Sequence, residues 1–384
     1  MNCPICQSGG AEPSYVLCQN AMVLGDCFPP EKIEVATCTH CGLAYLRSKI
    51  AQPAYSGYYA RIAKSPVYYE MFGKEESDSY FSHILQILKK YYVPGGTKVL
   101  DVAGSWGELA SYLENAGPDV QADVLELNDG CLEACAGKGL HTLKADIAAP
   151  IDRHEHLYDI VIANHTLEHI LDLRTAMDNV RNFLKDDGIV YVEVPDASGY
   201  STHGTPPFFF ATLEHVVHFT SGALENLAAI SGFEIVENGT HYKKVSKYPC
   251  VWAVLKKAST AAAGVSNAGS QPMEEYLNDS ANALKKRLSF YEEKQRELIL
   301  WGIGASTVLF LNSFAKCNVV GLVDANRQKQ GAEYVVGGRC LKIEDPVTAA
   351  KKPEAAIFVL SGPYKDVIER QIHEMGLTNE VLSW

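Results

Sequence analysis

The sequence predicts a doubly wound α/β protein, with a small cysteine-rich module in front and a second α/β unit behind. Three observations carry this reading. From Thr97 onward short β-rich runs alternate with helical runs, the signature of a parallel sheet. The first of these runs ends in a turn of small residues and the next in a carboxylate. The cysteines of the first fifty residues fall in two Cys-x-x-Cys pairs.

Taken in order, residues 1–52 form the cysteine-rich module, rich in turn formers and spaced for zinc. Residues 53–257 form the central domain. Its first part, Tyr55 to Tyr92, is aromatic and helical, with Tyr80, Phe81, Ile84, Ile87 and Leu88 at helical spacing. Strands are expected at Lys98–Val102, Val120–Leu125, Thr142–Lys144, Ile160–Ala163, Ile189–Val194, Phe233–Glu237 and Cys250–Leu255. Residues 258–272 are small and polar, bury too little to order themselves, and read as a flexible linker. In residues 273–384 a helix from Met273 to about Arg296 precedes strands at Leu298–Trp301, Val319–Val323 and Ala356–Leu360.

Composition narrows the function. The formal net charge of −12 argues against a nucleic-acid surface. No run of about 18 apolar residues predicts a membrane span. Met1-Asn2-Cys3-Pro4 has neither the basic nor the apolar part of a secretory signal. The cysteines number 11, an odd count, and Cys131, Cys135, Cys250, Cys317 and Cys340 stand singly. A reducing compartment, the cytoplasm, is therefore expected.

Cys3-x-x-Cys6 and Cys38-x-x-Cys41 are two knuckles on either side of residues 7–37. Each brings two thiolates to a tight turn, and Zn²⁺ accepts four sulfurs tetrahedrally at about 2.3 Å. Such a site is closed, so the expected zinc is structural. Four free thiols would be the alternative, and would leave the module without an adequate core.

The segment Val99-Leu100-Asp101-Val102-Ala103-Gly104-Ser105-Trp106-Gly107 reads as a strand, a small-residue turn and the start of a helix, suited to close approach of a nucleoside. Glu126, followed by Leu127, ends the next strand, where a carboxylate meets ribose hydroxyls. Asp146-Ile147 follows the third strand and Asn164 the fourth. A nicotinamide-binding unit is the competing reading of the turn. In residues 206–220 the pair Glu214-His215 stands among aromatic residues just beyond the fifth strand, and a histidine can take a proton near neutral pH. Thr212 as a helix cap and His218 as a core residue are the bland readings of this segment.

This succession resembles the class I S-adenosylmethionine-dependent methyltransferases. The resemblance places the methionine part of the cofactor at Asp101, Ala103, Gly104, Ser105 and Gly107, ribose at Glu126 and Leu127, and adenine at Asp146 and Ile147, with Asn164 beside them. Two of that family's glycines are Ala103 and Ser105 here. Over nearly its whole length the chain also resembles the three-part C-methyltransferases of nucleotide-linked 4-keto-6-deoxysugars. The shared features are the paired knuckles, the Glu-His segment, Trp301-Gly302-Ile303-Gly304-Ala305-Ser306, and Asp324-Ala325-Asn326 leading to Lys329 and Gly331. Thr212 stands where that family has tyrosine, and residues 244–250 replace a glycine-rich stretch.

The resemblance implies that His215 removes an acidic proton beside the keto group and that the resulting enolate takes the methyl group. Glu214 would orient the base or hold a substrate hydroxyl, and His169, Tyr68 and Tyr69 are the candidates to stabilise the enolate. Thr212 and His218 fall where the sugar should lie. Gly302, Gly304, Ala305, Ser306 and Asp324, with the cations Lys243 and Lys247, would receive the nucleotide, its pyrophosphate on the helix expected after the glycine turn. An O- or N-methyltransferase of a sugar or small metabolite is the alternative, and an inactive zinc-dependent scaffold a third.

Overall fold

The structure is a computed structural model. It describes residues 2–23, 28–62, 67–117, 119–152, 156–202, 206–244, 246–259, 264–267, 269, 271–304, 307–327, 329–360, 362 and 365–384; at 18–23, 28–31, 67–74 and 309 it describes the backbone alone.

The N-terminal module is a β structure that the sequence did not announce. Strands β1 (Ala11–Val23), β2 (Phe28–Cys38) and β3 (Ala44–Arg47) form an antiparallel sheet. The β1–β2 ladder shifts register repeatedly, which blurs the period of two. Buried Glu34 breaks the alternation as well, because Lys32 at 2.6 Å and Arg47 neutralise it. Helix α1 (Gln52–Arg61), started by Pro53, and helix α2 (Val67–Leu88) lead into the central domain.

That domain runs β4 (Thr97–Val102), α3 (Glu108–Ala116), β5 (Val120–Glu126), α4 (Asp129–Gly137), β6 (His141–Lys144), β7 (Tyr158–Asn164), α5 (Leu173–Phe183), β8 (Leu184–Pro195), β9 (Val217–His218), α6 (Ser221–Ile230), β10 (Phe233–Tyr242) and β11 (Pro249–Lys257). Side-chain caps start three of its helices: Asn128, Asp172 and Thr220 accept from Cys131, Thr175 and Ala223. The main sheet has the order β10-β11-β8-β7-β4-β5-β6. Strands β4 to β8 are parallel, with β11 and β10 added antiparallel. The chain starts in the middle at β4, moves outward to β6, then returns to β7 on the other flank. This reversal opens a crevice at the carboxyl ends of β4 and β7. The expected strands all form; β4, β7, β8 and β11 carry apolar runs buried on both faces, while β6 and β10 lie at the two edges of the sheet and are partly exposed.

The last third contains α7 (Gln271–Lys294), β12 (Glu297–Trp301), α8 (Thr307–Phe310), β13 (Asn318–Val323), β14 (Glu333–Val336), β15 (Arg339–Glu344), β16 (Ala356–Val359), α9 (Lys365–Glu374) and β17 (Val381–Leu382), in the sheet order β14-β15-β13-β12-β16-β17. The hairpin β14–β15 turns on Gly337-Gly338, both at positive φ, a turn signal present in the sequence but not used.

Two features bind the parts together. Strand β9 joins the N-terminal sheet as its fourth strand, Ala44 facing His218 and Tyr45 facing Val217. Glu274, at the start of α7, accepts from Thr37 at 3.0 Å and Ser14 at 3.3 Å on the same sheet. The expected linker is docked where it is described, since Asn226 pairs reciprocally with the backbone of Ser266 at 2.8 and 2.9 Å. Among the described residues no helix is long and apolar enough to cross a membrane.

Candidate active site

One cavity of about 800 Å³ lies over the crevice and reaches across to the last domain. Its first end is the turn after β4. Ala103 and Ser105 both sit at φ 53°, the left-handed region that costs a side-chain-bearing residue energy. Gly104 cannot be replaced cheaply, because a Cβ there would lie 2.8 Å from Asp101 Oδ2 and 2.9 Å from Val124. Gly104 and Gly107 correct the sequence reading: both lie off the cavity lining, and at Gly107 a Cβ would strike Leu140 at 2.6 Å and Cys135 at 2.8 Å. The role of Gly107 is to close α3 onto its neighbours.

Ala103, Ser105, Glu126, Leu127, Asp146 and Ile147 line this end together. Glu126 is buried, and its Oε1 accepts from Leu127 N at 2.7 Å and Asn128 N at 3.0 Å, while Oε2 accepts from Ser105 N at 3.0 Å. The carboxylate therefore holds the turn and keeps one lone pair, on Oε2, for a further donor. Asp146 Oδ1 accepts from Ala148 N at 2.9 Å. Asp101 is buried behind the turn rather than on the lining, and burial, then the charge of Glu126, push its carboxyl up to about 7. Asn164 lines the cavity and accepts from Tyr80 at 2.5 Å.

The middle of the cavity gathers His169, Glu214 and His215. No helix forms at Thr212. Its hydroxyl oxygen accepts from the amides of Glu214 at 3.0 Å and His215 at 3.1 Å, in a turn that aims both side chains. Tyr58 donates to Glu214 Oε1 at 2.6 Å. The Glu214 carbonyl lies 2.8 Å from His169 Nδ1, and a carbonyl only accepts, so Nδ1 carries the proton. The rings of His169 and His215 meet edge to face at 5.0 Å. Tyr59 lines the cavity with its hydroxyl 2.9 Å from His169 Nδ1, and burial, then Glu214, hold its phenol well above the ordinary range. Glu168 is buried beneath, and one of its carboxylate oxygens lies with one ring nitrogen each of His169 and His215 within 4.8 Å of one another.

The sequence reading named Tyr68 and Tyr69 for this place. They belong to α2, and their side chains lie outside the described residues. Tyr58 and Tyr59 on α1 reach the site instead, from the same aromatic run. His218 is corrected too. It is 2% exposed on β9, away from the cavity, packed against Tyr200, and burial pushes its imidazole down to about 3. It is a neutral core residue.

The far end is lined by Trp301, Gly302, Gly304, Thr307, Asp324 and Lys329. Asp324 accepts from Asn326 N at 2.8 Å and pairs with Lys329 at 3.1 Å. Ala305 and Ser306 lie outside the described residues. The helix expected to receive a pyrophosphate is described only from Thr307 to Phe310, where the chain tightens into a 3₁₀ turn. Lys243 lines the cavity with its ammonium 4.2 Å from the Tyr80 ring centre, whereas Lys247 is exposed and off it.

Away from the cavity, Cys3, Cys6, Cys38 and Cys41 bring their sulfurs within 4.8 Å of one another. The pairs Cys3–Cys41 and Cys6–Cys38 stand at 3.6 and 3.5 Å. Sulfurs at about 2.3 Å from a tetrahedral ion lie roughly 3.75 Å apart, so this donor set fits zinc.

A family profile described as a methyltransferase domain matches residues 72–238. Residues 72–238 carry a methyltransferase domain. Solved structures with a similar fold include an S-adenosylmethionine-dependent methyltransferase from Clostridium acetobutylicum, 14% identical with a TM-score of 0.38, covering 47% of this chain and 92% of that one. Another, from Mesorhizobium loti, is 14% identical with a TM-score of 0.36, covering 45% of this chain and 95% of that one. No curated protein sequence matches the chain. The matched span covers the methyltransferase's turn, Glu126, Asp146, His169 and the Glu214–His215 pair, and leaves the cysteine module and the last domain outside it.

Proposed function

We propose that this methyltransferase alkylates carbon on a nucleotide-linked keto-deoxysugar, through an enolate made by His215. One observation supports this above the others: a single cavity runs from the Ala103–Ser105 turn, past Glu214–His215, to Gly302 and Asp324. It has room for a cofactor at one end and a long second ligand reaching the other.

Ser105, Glu126 and Asp146 would hold the cofactor, and when bound its sulfonium supplies an electrophilic methyl group. His215 takes the proton from the carbon beside the keto group, and the electron pair left behind forms the enolate. Tyr59 keeps its proton through neutral pH and can donate to the enolate oxygen, with His169 fixed beside it. Tyr58 and Thr212 hold Glu214 and His215 in register. Lys243, Asn326 and Lys329 are the donors available to an anionic nucleotide. Cys3, Cys6, Cys38 and Cys41 would hold a structural zinc, which requires a reducing compartment such as the cytoplasm.

The Asp324 carboxylate at the far end, paired with Lys329 at 3.1 Å, favours the second reading, an O- or N-methyltransferase of an unlinked metabolite, because it neutralises a cation that a pyrophosphate would need. One experiment separates the two. His215→Asn is expected to lower turnover by about 10²–10⁴-fold and abolish deuterium exchange at the carbon beside the keto group, with S-adenosylhomocysteine affinity within a few fold of wild type. Wild-type turnover in this variant, or a product with its new methyl on oxygen or nitrogen, would refute the proposal.

A further inference from the structure

Behind the cavity wall made by Tyr80 and Asn164 lies a cluster that the methyltransferase reaction does not use. Its members are His83 on α2, Glu193 on β8 and His241 on β10. Glu193 has no exposed surface; its Oε1 accepts from Tyr80 at 2.8 Å and its Oε2 from Tyr191 at 2.5 Å. His241 Nε2 stands 3.6 Å from Glu193 Oε1, and the two imidazole rings face each other with centres 4.3 Å apart. One ring nitrogen from each histidine and one Glu193 oxygen all fall within 4.8 Å of one another.

The polar atoms make this cluster unusual. His83 Nε2 and both nitrogens of His241 are shielded from solvent and have no hydrogen-bond partner among the described residues. Buried polar groups are rarely left so, because each forfeits its water without replacement. Pairing the two rings with each other would satisfy one nitrogen of each and leave Glu193 without either, and their tilted packing shows no such bond. A cation among the three would satisfy both rings and the carboxylate together. The spacing suits one: ligands at about 2.0–2.2 Å from a tetrahedral ion lie roughly 3.4 Å apart, close to the observed 3.6 Å between His241 and Glu193. Tyr191, with Tyr80 sharing its one proton between Asn164 and Glu193, supplies the outer hydrogen bonding that orients a ligating carboxylate. The remaining neighbours are His165, with Nε2 3.7 Å from Glu193 Oε1, Lys243 over the Tyr80 ring, and Trp252 beside His83.

We infer that His83, Glu193 and His241 form a second metal site, for a divalent first-row cation of zinc type, fastening α2 to β8 and β10 behind the cavity wall. Its two-imidazole, one-carboxylate donor set differs from the four sulfurs at the N-terminus, and this makes the two sites separable. Nothing in the inference depends on the methyl acceptor.

The test is a cobalt(II) titration of the metal-free full-length chain, paired with elemental analysis of the zinc-loaded protein. Two equivalents per chain are expected. One should show intense thiolate-to-cobalt charge transfer, and the other only the weaker bands of nitrogen and oxygen ligands. His83→Gln and His241→Gln, singly, should lose the second equivalent and keep the thiolate signal. A single equivalent in wild type, or two retained in both variants, would overturn the inference. If neither variant folds, the wild-type titration decides: a second equivalent with nitrogen and oxygen coordination by X-ray absorption upholds the site, and its absence rejects it.

Discussion

Two residues in the cofactor turn pay a conformational cost. Ala103 and Ser105 occupy left-handed backbone at φ 53°, where glycine would be unstrained. Left-handed backbone costs about 1–2 kcal/mol per side-chain-bearing residue, and glycine gives back about 0.5–1 kcal/mol in entropy. Ala103→Gly and Ser105→Gly are each expected to stabilise the fold by about 0.5–1 kcal/mol, read from the denaturant midpoint; a loss at both would show that the turn is not strained. Asp101 gives a pH prediction. Its folded pKa, about 7, lies above its unfolded value, so the folded state holds the extra proton. Its contribution is complete below about pH 4 and disappears as pH rises towards 7. Asp101→Asn should flatten the stability profile across that window and raise stability at pH 8; an unchanged slope would locate the titration elsewhere. The positions of Glu126, Asp146 and His215 were legible because strand ends and a Glu-His pair leave marks in sequence. Tyr59 and Glu193 were not, since their roles depend on which strands and helices become neighbours.

Among the elements, the turn at Thr212 and the short strand β9 decide where the Glu214–His215 pair points. Thr212→Ala removes an acceptor shared by two amides, at a cost of about 1 kcal/mol by analogy with lost caps. Turnover should fall while S-adenosylhomocysteine affinity holds, and Thr212→Ser should restore it; failure of serine to rescue would point to substrate contact instead. The central strands were readable because they are continuous apolar runs buried on both faces. The strands β1–β3 were hidden by register shifts and a buried ion pair. At two residues, β9 is too short for any periodicity to mark it. The expected helix at Thr307 failed after one turn, where Phe310 and Leu311 turn inward to the core.

At the scale of the molecule, one sheet ties the cysteine cluster to the segment proposed as catalytic. The backbone of Leu46 donates to Val216 at 2.9 Å, and Val216 donates in turn to Glu168 at 2.8 Å. Removing the proposed zinc with a chelator, or by Cys38→Ser, is therefore expected to lower the melting temperature of the whole chain in one transition. Activity should disappear in that same transition. An N-terminal melt separate from a still active core would contradict this coupling.

The hydrogen bonds that frame the site join distant stretches of chain: Tyr58 and Glu214 stand 156 residues apart, Tyr59 and His169 110, and Thr37 and Glu274 237. Closing such loops is slow, because their entropy is lost before any contact repays it. A chain still emerging from synthesis thus holds the cofactor turn long before it holds a base beside it. The capacity for chemistry arrives late, when α7 locks against the first sheet.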